Sequence, residues 1–278
     1  MKCEKIKREV SLYCMRQNLS KSRFQRYMRV VNEIEELGID IENLTNEEVD
    51  KYYFYLLNTK RSEWTKITCW KVFKKICRLF HKDFDFSQWR LKEPKLEPEI
   101  LTKEELASLI FSAQNYRDKL IILLLYEGGL RVGELRNLRK QDISFDENGA
   151  VLRIKGKTGT RYIRVVDSAS YLQSYVKFCS QDKLFPLSRH QIYRILKECG
   201  EKAGIKKKIY PHLLRHTRAT HLAKYLTEPE MRLFFGWSSK SKMPSVYVHL
   251  SMRDVENKII RISKDPNLKD LYILTTKQ

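Results

Sequence analysis

The chain has 278 residues, enough for two domains that each bury a core. Its 54 Lys and Arg outweigh 34 Asp and Glu, leaving +20; that excess points to a polyanionic partner, with a membrane surface as the competing reading. Ordinary aromatic and aliphatic content excludes wholesale disorder, and no apolar run of about eighteen residues is present to span a membrane.

The start, MKCEKIKREV, is charged throughout and lacks the apolar segment of a signal peptide. Six cysteines (Cys3, Cys14, Cys69, Cys77, Cys179, Cys199) lie scattered without a CxxC pair, which fits reduced thiols in a cytosolic protein better than zinc ligands or disulfides. The first ninety residues read as helices only. Ser20 is placed to cap a helix with apolar positions Phe24, Met28, Val31 and Ile34, ending at Gly38. Thr45 and Glu48 form a capping-box pattern ahead of Val49, Tyr52, Tyr53 and Leu56. A third helix is predicted over 62–80, where Trp64 and Trp70 alternate with Lys71, Lys74, Lys75 and Arg78. That alternation suits a face laid against a nucleic-acid backbone; a solvated basic face is the equal alternative for any one of the lysines.

Pro94 and Pro98, with charges between them, mark residues 91–100 as a linker. From Pro98 onward 33 basic and 19 acidic residues give +14, so both parts of the chain are basic. Thr102 and Glu105 make another capping box, and the apolar run LIILLLYEGG predicts a buried helix stopped by Gly128 and Gly129. Arg131 and Glu134 open the next helix on one side. VLRIKGKTGTRYIRVV alternates about a turn at Lys157-Thr158-Gly159, which predicts a β-hairpin. Helices follow over 171–178 and 190–202, then the basic run at 206–208.

The stretch from Tyr210 to His249 concentrates chemistry. Pro211 suits the first turn of a helix, and His212 and Arg215, three apart, share one of its faces. A helix start with free N–H groups is a natural phosphate seat. Leu222, Ala223 and Leu226 continue at helical spacing toward a core, and Pro244 separates the Tyr247 segment from any preceding helix. Taken singly, each residue has an ordinary explanation. Arg131 could pair with Glu134 on a surface, Lys157 could be a solvated hairpin tip, His212 a cap, Trp237 core packing, and Tyr247 one of fifteen tyrosines.

In their order, GLRVGEL, the hairpin KTGT, HLLRH, FGW and SVYVHLS resemble the tyrosine recombinase (phage integrase) family over roughly residues 98–260. SKMPSVYVHLS looks most like archaeal Xer or integrase members. The resemblance implies a mainly α architecture with a small β-sheet in the C-terminal domain. Residues 1–90 would form a helical core-binding domain that clamps DNA, 91–100 a linker, 101–265 the catalytic domain and 266–278 a tail. It makes Arg131 and Arg215 the catalytic arginines and Glu134 a supporting acid. Lys157 becomes the hairpin lysine, with Lys155 as its competitor two positions back, and His212 the HxxR histidine. Trp237 stands at a position that is often His, and Tyr247 becomes the nucleophile. Proton transfer then falls to His212 and Lys157, because an indole N–H donates but does not exchange its proton readily. The implied reaction uses no cofactor and no metal, and no carboxylate cluster suggests Mg²⁺. The implied partner is double-stranded DNA, bound by four protomers that are monomers or dimers in solution, in the cytoplasm and away from membranes. A type IB topoisomerase and a catalytically idle DNA-binding relative are the alternatives. No extra N-terminal arm-binding module is evident, which favours a simple two-site recombinase. The apolar Leu271, Ile273 and Leu274 of the tail either fold back on their own core or dock on a neighbouring protomer.

Overall fold

The computed structural model describes residues 2–94, 98–156, 159–247, 256, 259–260 and 262–263, and the chain divides into two compact units, Met1–Lys95 and Leu96–Gln278. The first unit holds four helices: α1 (Lys2–Arg16), α2 (Lys21–Glu36), α3 (Asn46–Asn58) and α4 (Glu63–Phe80). Helix α1 escapes a reading of charge alone, because its apolar stripe is one residue wide: Ile6, Val10 and Cys14 recur every fourth position and all three are buried. They pack with Val30, Ile34, Tyr52, Leu56, Phe73 and Ile76. Buried among them, Glu33 accepts from the Tyr52 hydroxyl (2.8 Å) and from Arg61 Nη2 (2.6 Å), so the carboxylate is compensated where water is not. Two capping expectations are only half realised. Thr45 Oγ1 accepts from the Glu48 amide, but the Glu48 carboxylate turns away to the Asp40 amide (2.7 Å) and Lys51. Ser20 sits at its helix start without a side-chain cap, its hydroxyl turned to Ser22.

The segment expected to be a linker is tied down on both sides. Tyr53 donates its hydroxyl hydrogen to Arg90 O (3.1 Å), and Lys71 meets Glu93 (3.0 Å). In the second unit Lys207 Nζ reaches Ile100 O (2.9 Å), and the Leu101 amide donates to Thr217 Oγ1 (3.0 Å).

That unit is built around α6 (Tyr116–Glu127), where Leu120, Ile121, Ile122, Leu124 and Leu125 are all buried. A helix apolar on every side must be covered on every side. Packed with it are α5 (Lys103–Ser112), α7 (Val132–Asn137), α8 (Ala169–Phe178), α9 (Arg189–Lys202) and α10 (Pro211–Leu222). α5 carries the expected reciprocal cap, Thr102 N to Glu105 Oε2 at 2.8 Å and Glu105 N to Thr102 Oγ1 at 3.1 Å. An antiparallel sheet of β1 (Ile143–Asp146), β2 (Gly149–Gly156) and β3 (Gly159–Val165) stands beside them in the order β1-β2-β3. The hairpin is where the alternation placed it, with Gly156 opposite Gly159; Lys157 and Thr158 lie outside the described residues. β1 was not anticipated, because its four residues ISFD are mostly exposed and show no inward period. Two short helices, α11 (Glu228–Phe235) and α12 (Met243–Tyr247), close a separate small core of Ala219, Ala223, Met231, Phe235 and Tyr247. Among the described residues no helix is long and apolar enough to cross a membrane.

Glu127 joins these layers. Its buried carboxylate accepts from the amides of Val166 (2.6 Å), Asp167 (2.9 Å) and Ser168 (2.9 Å), where β3 turns into α8. Glu127→Ala strands those donors, and a loss of about 3 kcal/mol in unfolding free energy is expected. Urea denaturation followed by circular dichroism measures it; an unshifted midpoint would show that water replaces the carboxylate without cost.

Candidate active site

The site is assembled on the C-terminal end of α11. Gly236 adopts φ +57 and ends the helix, and the amides of Gly236 and Trp237 fold back onto Leu233 O and Arg232 O. A left-handed residue at this position is what lets a helix end so abruptly. The next three carbonyls cannot be satisfied within the helix. Each accepts from a different arginine: Phe234 O from Arg161 Nε (2.9 Å), Phe235 O from Arg215 Nη2 (2.5 Å), and Gly236 O from Arg131 Nη2 (3.1 Å). Cations at the negative end of a helix dipole are stabilised there.

Each arginine has a second anchor. Arg215, on α10, gives Nη1 to Gly129 O (2.5 Å). Gly129 itself has φ +56, and a Cβ there would lie 2.5 Å from Phe235, so only glycine brings this carbonyl so close. Arg131, at the start of α7, is bound to Glu134 twice, by its amide to Oε2 and its Nη1 to Oε1, both at 2.8 Å. Arg161, from β3, clasps the same carboxylate with Nη1 and Nη2, each 2.8 Å away. Burial alone would raise the Glu134 carboxyl, but Arg161 and then Arg131 outweigh it and hold it at about 2. Glu134 is therefore ionised throughout the working range and orients two guanidiniums at once.

Arg215 is 4 % exposed, and burial followed by repulsion from Arg131 pushes its guanidinium down to about 9. It stays charged at neutral pH, yet gains from any anion that arrives. Its two bonds to main-chain oxygens use two of five donors.

Tyr247 lies 6 % exposed on α12. Its ring is parallel to Trp237 (5.7 Å between centroids, 3°), Trp237 is stacked on Phe235 (4.8 Å), and the Arg215 guanidinium lies 5.0 Å from the Phe235 centroid. These contacts set the phenol in a rigid column beside the arginine. The hydroxyl hydrogen-bonds the ring of His216 at Nδ1. Burial raises the Tyr247 hydroxyl to about 12, against the opposing pull of Arg215. His212, one turn earlier, has its ring 6.3 Å from that of His216. It is open to solvent, yet the protein packed around it and the charges of Arg215 and Arg131 lower its pKa, so it is neutral at pH 7.

Six anticipated residues thus converge: Arg131, Glu134, His212, Arg215, Trp237 and Tyr247. Lys157 lies outside the described residues, while Lys155 is exposed on β2. Two residues were missed. Arg161 continues the inward-facing positions Ile163 and Val165 of β3 by one step, so the alternation carried its signal. His216 stands four positions after His212, on the same helical face. Proton transfer is expected of His212; the side chain that meets the Tyr247 hydroxyl is His216.

In the first unit Lys71, Lys74, Lys75 and Arg78 do form one stripe along α4. Trp70, however, is core rather than part of that face. Lys74, Lys75 and Arg78 lie over the rings of Trp70 (5.7 Å), Tyr13 (5.3 Å) and Phe86 (5.6 Å). Burial and the neighbouring Arg78 and Lys71 lower the Lys74 ammonium, the mark of crowded like charges.

Residues 99–254 match the phage integrase family, more than half of the chain, and the chain belongs to that family. It is 36 % identical over 152 residues to the tyrosine recombinase XerA of Pyrococcus horikoshii, covering 48 % of this chain and 51 % of that protein. It is 36 % identical over 176 residues to a tyrosine recombinase of Pseudothermotoga lettingae, covering 58 % and 60 %. The chain therefore spans about half the length of the curated relatives it matches. Among solved structures, the Tn1549 transposon integrase in complex with transposon right end DNA shares the fold at a TM-score of 0.71 and 17 % identity, over 93 % of this chain and 99 % of that one. The XerH site-specific recombinase bound to its difH substrate does so at 0.68 and 17 %, over 90 % and 83 %.

Proposed function

We propose that the chain is a site-specific DNA recombinase that cleaves and rejoins strands through a 3′-phosphotyrosine formed on Tyr247. What supports the reading most is a buried tyrosine beside the Arg215 guanidinium, which with Arg131 hangs from consecutive carbonyls of one turn. A phosphodiester seated there places its non-bridging oxygens on forked, permanently charged donors. In-line attack by the phenol oxygen expels the 5′-oxygen, and the charge that grows on phosphorus is met by donors already in place. The Trp237 indole N–H can add one hydrogen bond to the phosphate, and His212, at the N-terminal turn of α10, a second. The hairpin lysine, Lys157 with Lys155 as its competitor, protonates the leaving oxygen. The phosphotyrosine keeps the bond energy for resealing by another 5′-hydroxyl. The scheme asks nothing of a metal or cofactor.

Double-stranded DNA is the partner, with the α4 stripe of the first unit on its backbone and residues 101–265 at the cleavage site. Exchange between two duplexes needs four protomers; residues 266–278, which lie outside the described residues, are candidates for coupling them. A cytoplasmic setting follows from that substrate. The decisive experiment is incubation with a nicked suicide duplex carrying candidate sites from beside its gene. A denaturation-resistant protein–DNA adduct is expected. No adduct with any duplex would refute strand cleavage, and site-indifferent relaxation of plasmid would make the chain a topoisomerase instead.

A further inference from the structure

We propose that His216, rather than His212, is the group that holds the Tyr247 hydroxyl at rest and takes its proton when DNA is cleaved. The inference rests on the strand-cleavage reading above and assigns a catalytic role within it.

The contact comes from geometry. α10 places His216 directly after Arg215, on the side facing α12, and its Nδ1 meets the Tyr247 oxygen. The two rings are 5.9 Å apart, and the phenol is also stacked on Trp237. The titratable and charged groups that face His216 are His212 and Arg215 on its own helix and Tyr247 from α12. Burial first, then His212 and Arg215, lower the His216 imidazole to about 4, while the phenol stands at about 12. The proton therefore stays on oxygen in the free protein. The hydroxyl donates to Nδ1, which makes His216 the Nε2–H tautomer. The nucleophile is held aligned and un-ionised.

A bound phosphodiester changes this balance. Its negative charge compensates Arg215 and stabilises a cation beside it, so the His216 imidazole becomes more basic when substrate is present. The step then balances atom by atom. The Tyr247 O–H bond breaks and its proton passes to Nδ1, the phenolate oxygen bonds phosphorus, and the P–O5′ bond breaks with its electron pair on the 5′-oxygen. A lysine ammonium of the β2–β3 hairpin supplies the proton that this oxygen takes. Resealing runs the same path backwards, with His216 returning its proton to the departing phenol.

The test compares His216→Asn, which keeps an acceptor near Nδ1 but cannot carry a proton, with wild type and His212→Asn. Single-turnover adduct formation on the suicide duplex is followed as a function of pH, with duplex affinity measured alongside by band shift. Wild type is expected to slow on the acid side as His216 becomes protonated. In His216→Asn the rate should fall by about 10²–10³-fold and the acid limb should disappear, with affinity unchanged. His212→Asn should keep the limb. A His216→Asn protein that cleaves at the wild-type rate, or keeps the acid limb, overturns the proposal. Nitrogen-15 spectra of the full chain without DNA give a second readout: His216 Nδ1 should appear as an unprotonated acceptor, and its signal should move in Tyr247→Phe. Identical His216 signals in the two proteins also overturn the proposal. A wild-type chain that forms no adduct would remove the strand-cleavage reading itself, whereas cleavage that ignores His216 removes only this residue's role.

Discussion

Tyr247→Phe is expected to bind DNA with near wild-type affinity and to form no covalent adduct at all. The substitution removes one oxygen. The ring keeps its stack on Trp237 and its place among Ala219, Ala223, Met231 and Phe235. What the fold loses is one hydrogen bond to His216, about 1 kcal/mol, too little to unfold a unit with this core. What the chemistry loses is the only atom that can bond phosphorus from this position. Other tyrosines do not share the setting: Tyr225 is 73 % exposed beyond the end of α10, Tyr210 precedes α10, and Tyr272 lies outside the described residues. Denaturing gels of the suicide-duplex reaction measure the result. An adduct formed by the Phe protein would move the nucleophile elsewhere.

The second large effect concerns the arginines. Arg215→Ala and Arg131→Ala should each slow adduct formation by about 10²–10³-fold, equivalent to about 2.7–4 kcal/mol of transition-state stabilisation. Arg215→Ala should also destabilise the fold, because Gly129 O and Phe235 O lose their donor in a buried place, so rates belong well below its melting temperature. Arg215→Lys should recover little. One ammonium cannot bridge two carbonyls and still present a fork to phosphate. Single-turnover rates with duplex at saturation separate this from weaker binding, and an alanine protein at full speed would sink the clamp.

Much of this was legible in the residues. Proline at the first position of α10 and the spacing of His212 to Arg215 depend only on local geometry, and they fold as read. So does the hairpin, whose period is written into VLRIKGKTGTRYIRVV. The identity of the tyrosine's partner was not legible. His212 and His216 share a face, and the choice between them depends on where a chain thirty-one residues downstream returns, which no periodicity encodes. Arg161 is different: its inward parity was readable, but an inward arginine makes sense only once Glu134 is known to lie opposite. Helix α1 and strand β1 were hidden for simpler reasons, the one having a narrow apolar stripe and the other hardly any buried face.

The turn at the end of α11 carries one more consequence. Arg131 and Arg215 hang from the oxygens of Gly236 and Phe235, neighbouring peptide units of one chain. Neighbouring Cα atoms across a trans peptide stand about 3.8 Å apart in any protein. Covalent geometry thus keeps the two acceptor oxygens on adjoining peptide units, a short ruler whose setting depends on the dihedrals of the turn and on the second anchor of each arginine. Main-chain oxygens survive substitution of the side chains beside them, so the two acceptors do not depend on which residue stands at position 235, whereas the aromatic column does. The exception is Gly236, where a side chain would strain the left-handed backbone and press on Arg161, bending the ruler itself.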